Sequence, residues 1–287
     1  MRILLTGATG FVGQQILKAL SRIKSIEISL IVREQSIEKI ESLIKNQKII
    51  FTKDLFSENE EWWEGVCKNI DVVIHSAWFT KPGEYLASTK NFDCLIGSLK
   101  LAKGASNAGV SKFLGLGTCF EYDLNQNQPI DINTNLNPTT VYAASKVSLF
   151  YFLRSYFDKK DTNFAWCRVF YLYGENEHPD RLFPYIRNML SQKKEALLTS
   201  GKQVRDFLNV IDAAEQIIEI AISSEKNGPF NICSGNAITV KDFALNIASE
   251  WDQKDLLKFG ARQDNATDPP YVVGIKGNAI QPLSKDE

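Results

Sequence analysis

Histidine, methionine and cysteine are scarce in this chain: two, two and five residues among 287. The cysteines (Cys67, Cys94, Cys119, Cys167 and Cys233) are odd in number, widely spaced and never form Cys-x-x-Cys. That argues against a disulfide framework and a zinc site of the usual spacing, and His75 and His178 add too few ligands for another metal centre. No apolar run approaches the ~20 residues of a membrane span. Neither sign of charge dominates, since 33 Lys and Arg stand against 34 Asp and Glu. The net charge of −1 gives no overall field to draw the chain to nucleic acid or to a membrane surface. Internal repeats and low-complexity tracts are also missing. A strand-like run starts at the second residue, so no signal peptide is expected and a cytoplasmic protein is. What remains, 44% hydrophobic and 23% charged, suits one large or two modest globular domains.

Glycine is present where it counts. The apolar run Ile3-Leu4-Leu5 leads into Thr6-Gly7-Ala8-Thr9-Gly10-Phe11-Val12-Gly13, and residues 11–20 read as an amphipathic helix. A helix N-terminus offers unpaired N–H groups and partial positive charge to a phosphate, and glycines let the ligand approach the backbone. The spacing is Gly-x-x-Gly-x-x-Gly rather than Gly-x-Gly-x-x-Gly. Further strands are predicted at 27–32, 48–51, 71–74, 112–116 and 163–170. Helices are predicted at 36–44, 82–108, 140–157, 180–192 and 210–223. Residues 201–207 read as a polar loop, 229–233 as a short strand, and Thr239 with Asp242 as a helix start. From about residue 264 the chain is polar and Pro/Gly-punctuated, and poor order is expected. The βαβα alternation predicts an α/β chain built on a doubly wound parallel sheet, with ligands outside the carboxyl ends of the strands.

Two chemical features lie at those ends. In Tyr142-Ala-Ala-Ser-Lys146 the i, i+4 spacing puts a phenol and an ammonium on one helical face, where the ammonium would lower the phenol pKa. Thr118 ends the fifth strand, positioned to bond the same substrate oxygen. Trp78, Thr80, Phe120 and Glu121 follow strand ends and are candidates for the wall of a substrate pocket. Arg181, Lys202, Arg205 and Arg262 are cations able to neutralise a diphosphate.

Gly7-x-x-Gly10-x-x-Gly13, Asp54-Leu55, His75-Ser76-Ala77, Asn91, Thr118, Tyr142-x-x-x-Lys146 and the run from Arg168 to Gly174 come in a family order. The chain resembles the extended short-chain dehydrogenases/reductases, the nucleotide-sugar epimerases, dehydratases and ketoreductases. Gly201-Lys-Gln-Val-Arg205-Asp206-Phe207 and Asn231-Ile-Cys-Ser-Gly235 extend the likeness. The resemblance implies a Rossmann-type domain over 1–170, with 205–224 packing back on it, and a smaller C-terminal α/β substrate region over 171–287. It implies Thr118, Tyr142 and Lys146 as the catalytic set, with Tyr142 and Lys146 also on the cofactor and Lys146 at the nicotinamide ribose. Gly7, Thr9, Gly10, Phe11, Val12, Gly13, Ser76, Ala77, Trp78 and Asn91 fall to the cofactor as well. Asp54 and Leu55 would flank the adenine and Phe170 the nicotinamide. Arg205 would meet the diphosphate or ribose of a nucleotide-diphosphate sugar; Tyr171, where the usual epimerase pattern has Asn, and Arg181 are further candidates on the substrate side. A homodimer is expected by the same resemblance.

Arg33 stands about twenty residues past the glycines, where NAD-type sites place a carboxylate. A guanidinium there suits a 2′-phosphate, so NADP(H) is expected, with NAD(H) as the alternative if Glu34 takes the ribose. Sugar 4,6-dehydratases resemble one another in Thr-Asp-Glu, whereas this chain has Cys119 and Phe120 after Thr118. The nearest likeness is to 4-ketoreductases of nucleotide-linked 4-keto-6-deoxyhexoses. An NAD-dependent 4-epimerase and a non-catalytic NADP(H)-sensing protein are the alternatives.

Overall fold

The computed structural model describes residues 1–44, 47–265 and 268–277. The first half runs β1 (Arg2–Thr6), α1 (Phe11–Leu20), β2 (Glu27–Val32), β3 (Lys48–Phe51), α2 (Glu60–Cys67), β4 (Val72–His75), α3 (Lys90–Asn107), β5 (Lys112–Thr118), α4 (Val141–Phe157) and β6 (Asn163–Val169). Then follow β7 (Tyr171–Tyr173), α5 (Leu182–Ser191), β8 (Ala196–Leu197), β9 (Val204–Arg205), β10 (Phe207–Asn209), α6 (Val210–Ile222) and β11 (Gly228–Ile232). The last elements are β12 (Ile238–Thr239), α7 (Val240–Ser249), β13 (Leu257–Lys258) and β14 (Tyr271–Val272).

Seven parallel strands form the main sheet in the order β11-β6-β5-β4-β1-β2-β3. Side chains alternate across a strand, and the sequence uses both faces. Ile3 and Leu5 meet Ile16, Leu17 and Leu20 of α1 and Ile217 of α6 in one core. Leu4 meets Trp63 of α2, Leu101 of α3 and Leu149 of α4 in the other. The chain winds outward from β1 in one direction and from β4 in the other. A crevice therefore opens at their carboxyl ends, where such sheets bind ligands. A third core joins α5, α7, β8 and β13.

The predicted strand at 71–74 lies one residue later, and those at 27–32 and 48–51 are found where expected. The predicted helix at 36–44 is instead a run of 3₁₀ turns, Glu34–Leu43. Ile37, Ile40 and Leu43 recur every three residues, the 3₁₀ period, and all reach the same core. The helix expected from residue 82 starts at Lys90. Before it the chain turns, with Gly83 at φ +79°, and the Asn91 amide holds the carbonyls of Tyr85 and Ser88 at 2.7 and 2.8 Å. The expected loop at 201–207 contains β9 and the start of β10, because β9 pairs with both β12 and β14. Two-residue strands carry no periodicity to read.

Poor order from residue 264 is corrected for 268–277; residues 266–267 and 278–287 lie outside the described residues. Val272 and Val273 are buried, and Ile130 bonds the chain through Val273 O and Ile275 N, each at 2.8 Å. Asp206 is buried and accepts the N–H groups of Ser234, Gly235 and Gly274 at 2.7, 2.8 and 3.2 Å.

Lys112 ties the sheet to the end of α6. Its buried ammonium donates to the carbonyls of Ile220, Ser223 and Lys226 at 2.6, 2.6 and 2.7 Å. Lys112→Met removes all three bonds and is expected to lower the unfolding free energy by about 2–4 kcal/mol. Urea denaturation would read this directly, and an unchanged midpoint would dismiss the tie.

Candidate active site

The glycine turn closes at the crevice. Gly10 N–H donates to Gly7 O at 3.0 Å. A Cβ on Gly7 (φ +76°) would stand 2.6 Å from the Ala77 nitrogen, and one on Gly13 would stand 2.0 Å from Gly7 O. No larger residue fits either place. Gly10 caps α1 without a side-chain hydrogen bond, leaving first-turn N–H groups for a ligand. Gln14 holds Thr9 O at 3.2 Å, and Phe11 and Val12 lie half-buried on that turn. Ser76 donates to Thr6 O at 2.8 Å. Arg33 is exposed at the end of β2. Asp54 is exposed after β3 and accepts Phe56 N–H at 3.1 Å, while Leu55 packs on the α2–α3–α4 core.

His75 lies beneath the turn, fully buried. Ser98 gives its proton to Cys94 O at 2.6 Å, so His75 Nε2–H must donate to Ser98 Oγ at 2.7 Å. Nδ1 then accepts the Thr6 hydroxyl at 2.8 Å. Burial, aided by the Lys146 charge, pulls the imidazole down to about 3. The unfolded chain, titrating near ~6.5, takes up a proton first, so this contribution is full above that pH and is lost as pH falls toward 3. Between about pH 7 and 4.5 the protein should lose roughly 2–3 kcal/mol more than a His75→Asn variant, at ~1.4 kcal/mol per pH unit. Parallel urea melts at the two pH values give the difference, and equal losses would reject it.

The turn after β5 and the start of α4 bring Thr118 to Tyr142, and Tyr142 and Lys146 both meet the Trp78 ring. Thr140 caps α4 by accepting Ala143 N–H at 3.1 Å, and Tyr142 N–H donates to Leu86 O at 3.0 Å. Burial pushes the Tyr142 phenol well above its ordinary value, with Tyr85 adding to the effect and a hydrogen bond with Thr118 opposing it. Thr118 Oγ1 also accepts Phe120 N–H at 3.3 Å. The Lys146 ammonium donates to Leu116 O at 2.6 Å and stands 3.7 Å from the centre of the Trp78 ring. Burial lowers it to about 7, opposed by Glu121. The expected lowering of the Tyr142 pKa by Lys146 is therefore reversed by desolvation. The phenol is thus held in its uncharged form.

Two site expectations are corrected by geometry. Glu121 lines no pocket: it is fully buried, accepting Thr118 N–H at 2.9 Å, Trp166 Nε1–H at 3.1 Å and Arg168 Nε–H at 2.7 Å. A turn over Cys119–Glu121, capped at Thr118, folds the carboxylate inward. Asn91 is likewise buried, with its amide taken up by Trp78, Tyr85 and Ser88, so it acts within the protein rather than on a cofactor. Phe170 is buried beside Cys119, Tyr122 and Cys233. Burial pushes the Cys119 thiol up to about 12, consistent with an inert residue.

On the substrate side, Phe120 meets Tyr171 edge-on at 6.1 Å. Arg205 is buried over the Tyr171 ring at 5.1 Å, with Nη2 at 2.8 Å from Asp268. Arg181 lies 5.6 Å from the Tyr85 ring, and Thr80 is exposed. A cavity of about 470 Å³ opens among Tyr185, Leu198, Gly201, Phe259 and Arg262. Sequence reasoning missed Tyr85, whose ring meets Tyr142 at 4.9 Å, because its segment reads as helix. It also missed Asp268, in the segment expected to lack order.

Residues 3–233 match the NAD dependent epimerase/dehydratase family. The chain belongs to that family. A dTDP-6-deoxy-L-talose 4-dehydrogenase (NAD(+)) of Aggregatibacter actinomycetemcomitans is 26% identical to it, covering 96% of this chain and 100% of the relative. A CDP-abequose synthase of Salmonella typhimurium is 24% identical over 96% of this chain and 90% of its own. The structure of a UDP-N-acetylglucosamine 4-epimerase from Methanobrevibacter ruminantium matches with a TM-score of 0.85 at 22% identity, covering 96% of this chain and 89% of that one. As an epimerase/dehydratase-family member the chain is a nucleotide-sugar-modifying enzyme on a Rossmann-like sheet, and the family cofactor is of the NAD type. The glycine cradle without room for a Cβ, and the uncapped first turn of α1, fit its diphosphate. No helix among the described residues is long and apolar enough to cross a membrane.

Proposed function

We propose that this family member reduces the C4 carbonyl of a nucleotide-linked 4-keto-6-deoxyhexose. The observation that carries the reading is the place beside Thr118. Dehydration needs an acid/base pair there. Cys119 and Phe120 provide none, and Glu121 is held by Arg168 at 2.7 Å. What remains is Thr118, Tyr142 and Lys146, a set for moving one proton at one oxygen. Bound over the glycine turn, a reduced nicotinamide supplies the hydride. Tyr142 gives its proton to the oxygen that becomes the C4 hydroxyl, Thr118 bonds that oxygen, and Lys146 places positive charge beside it. The relative matched over its whole length is by name a 4-dehydrogenase of a dTDP-linked deoxysugar, which supports chemistry at C4.

In this reading residues 1–170, with 205–224, hold the cofactor and 171–287 hold the sugar nucleotide. Arg181 and Arg262 face its diphosphate, the cavity beside Tyr185 and Phe259 takes its base, and Arg205, buried and paired with Asp268, braces Tyr171 behind it. The exposed Phe92 and Ile96 of α3 and Phe152 of α4 form the contact of a homodimer. Arg33 receives a 2′-phosphate. Arg33→Ser should raise the KM for NADPH by about 10–100-fold and leave that for NADH within a few-fold. Initial rates with both cofactors decide, and equal effects would withdraw the assignment. The function itself is tested by offering dTDP-, CDP-, GDP- and UDP-linked 4-keto-6-deoxy sugars with NADPH or NADH. Loss of nicotinamide absorbance with one of them, and a C4 alcohol by NMR, is the expected result. No oxidation with any would reject it.

A further inference from the structure

Trp78 follows β4, and its surroundings are more constrained than a pocket wall requires. Its indole N–H donates to Asn91 Oδ1 at 2.8 Å. The other end of the same amide holds the carbonyls of Tyr85 and Ser88. One side chain with no solvent exposure thus fixes the indole and the loop carrying Tyr85 together. The rings of Phe56 and Tyr142 each stand edge-on to Trp78 at 6.4 Å. The face of the indole is turned to Lys146, whose nitrogen lies 3.7 Å from the ring centre.

We propose that Trp78 is a positioning residue: locked by Asn91, its indole face holds the Lys146 ammonium beside Tyr142. The proposal rests on the reading of Tyr142 and Lys146 as the catalytic pair. A cation over an indole is attracted by the ring quadrupole, the more so when desolvated. The contact matters here because burial brings Lys146 down to about 7. The groups around it leave the balance fine. Glu121, in the turn after β5, favours the ammonium but is paired with Arg168. Cys94 of α3 is pushed up to about 11 by burial, and His75 of β4 is neutral. Tyr142 of α4 keeps its proton. The indole adds attraction without an anion that would also bear on the Tyr142 phenol.

Two measurements test it. In cofactor-free protein, tryptophan emission should show a step as Lys146 titrates, and the step should vanish in Lys146→Met and also in Trp78→Phe, which leaves the Trp166 ring 5.9 Å from the ammonium in place. A step that persists in either variant overturns the contact. In turnover, Trp78→Leu should move the alkaline limb of kcat down by about one pH unit, whereas Trp78→Phe, which keeps a π face, should hold it near wild type. Trp78→Leu would then lose about tenfold near pH 8 and little near pH 6. Equal losses at both pH values would mean a merely structural role and overturn the proposal, as would an unmoved limb. Tyr142→Phe serves as the separate control. Wild-type turnover in that variant overturns the catalytic reading, while an emission step that is lost in Trp78→Phe still reports on the Trp78–Lys146 contact.

Discussion

Tyr142→Phe is expected to lower kcat by about 10²–10⁴-fold, the usual share of a positioned general acid. The substitution removes one oxygen and keeps the ring that meets Tyr85 at 4.9 Å and Trp78 at 6.4 Å. Packing and cofactor affinity should therefore change little. The loss should be seen in a single turnover with cofactor and sugar both saturating, which separates proton donation from binding and release. A single-turnover rate equal to that of wild type would remove Tyr142 from the proton-donating role.

Glu121→Ala should cost about 3–5 kcal/mol of stability, a large part of what a domain of this kind possesses. The change leaves the Arg168 guanidinium buried and takes the acceptor from Thr118 N–H and Trp166 Nε1–H. Arg168 would keep only its bond to the Tyr122 hydroxyl at 3.1 Å. The double variant Glu121→Ala, Arg168→Met should recover part of the loss, because an empty apolar pair costs less than one buried charge. Denaturant melts of the two single variants and the double complete the cycle. Additive losses would mean that the ion pair is not what holds this turn. The surrounding glycines agree with its importance, since a Cβ on Gly117 would stand 2.3 Å from Glu121 Oε1.

Much of the cofactor half is legible in the sequence because it rests on local rules. Ile3-Leu4-Leu5 followed by glycines fixes a strand, a tight turn and a helix, and the i, i+4 spacing of Tyr142 and Lys146 places both on one face. What the spacing does not contain is where the lysine nitrogen goes. It bends to Leu116 O and to Trp78 of the segment after β4, partners set by the packing of α4 on β5 and β6. Glu121 is another case: its place just after a strand end suggests a pocket wall, but the capping hydrogen bonds at Thr118 turn its carboxylate back into the protein. Asn91 shows the limit of a motif. Its position follows the family order, but its three hydrogen-bond partners lie 3, 6 and 13 residues away, two of them in a loop that reads as helix. The substrate side is least legible, since β9 is assembled with β14 from segments more than sixty residues apart, and neither has a pattern of its own.

The central claim is net reduction at C4, and the stoichiometry of cofactor to sugar tests it most directly. With the reduced cofactor and a 4-keto-6-deoxy sugar nucleotide supplied in known amounts, one nicotinamide should be oxidised for each C4 alcohol formed, with no product when the cofactor is left out. Interconversion of C4 epimers with no net nicotinamide oxidation would contradict the account and make the chain an epimerase.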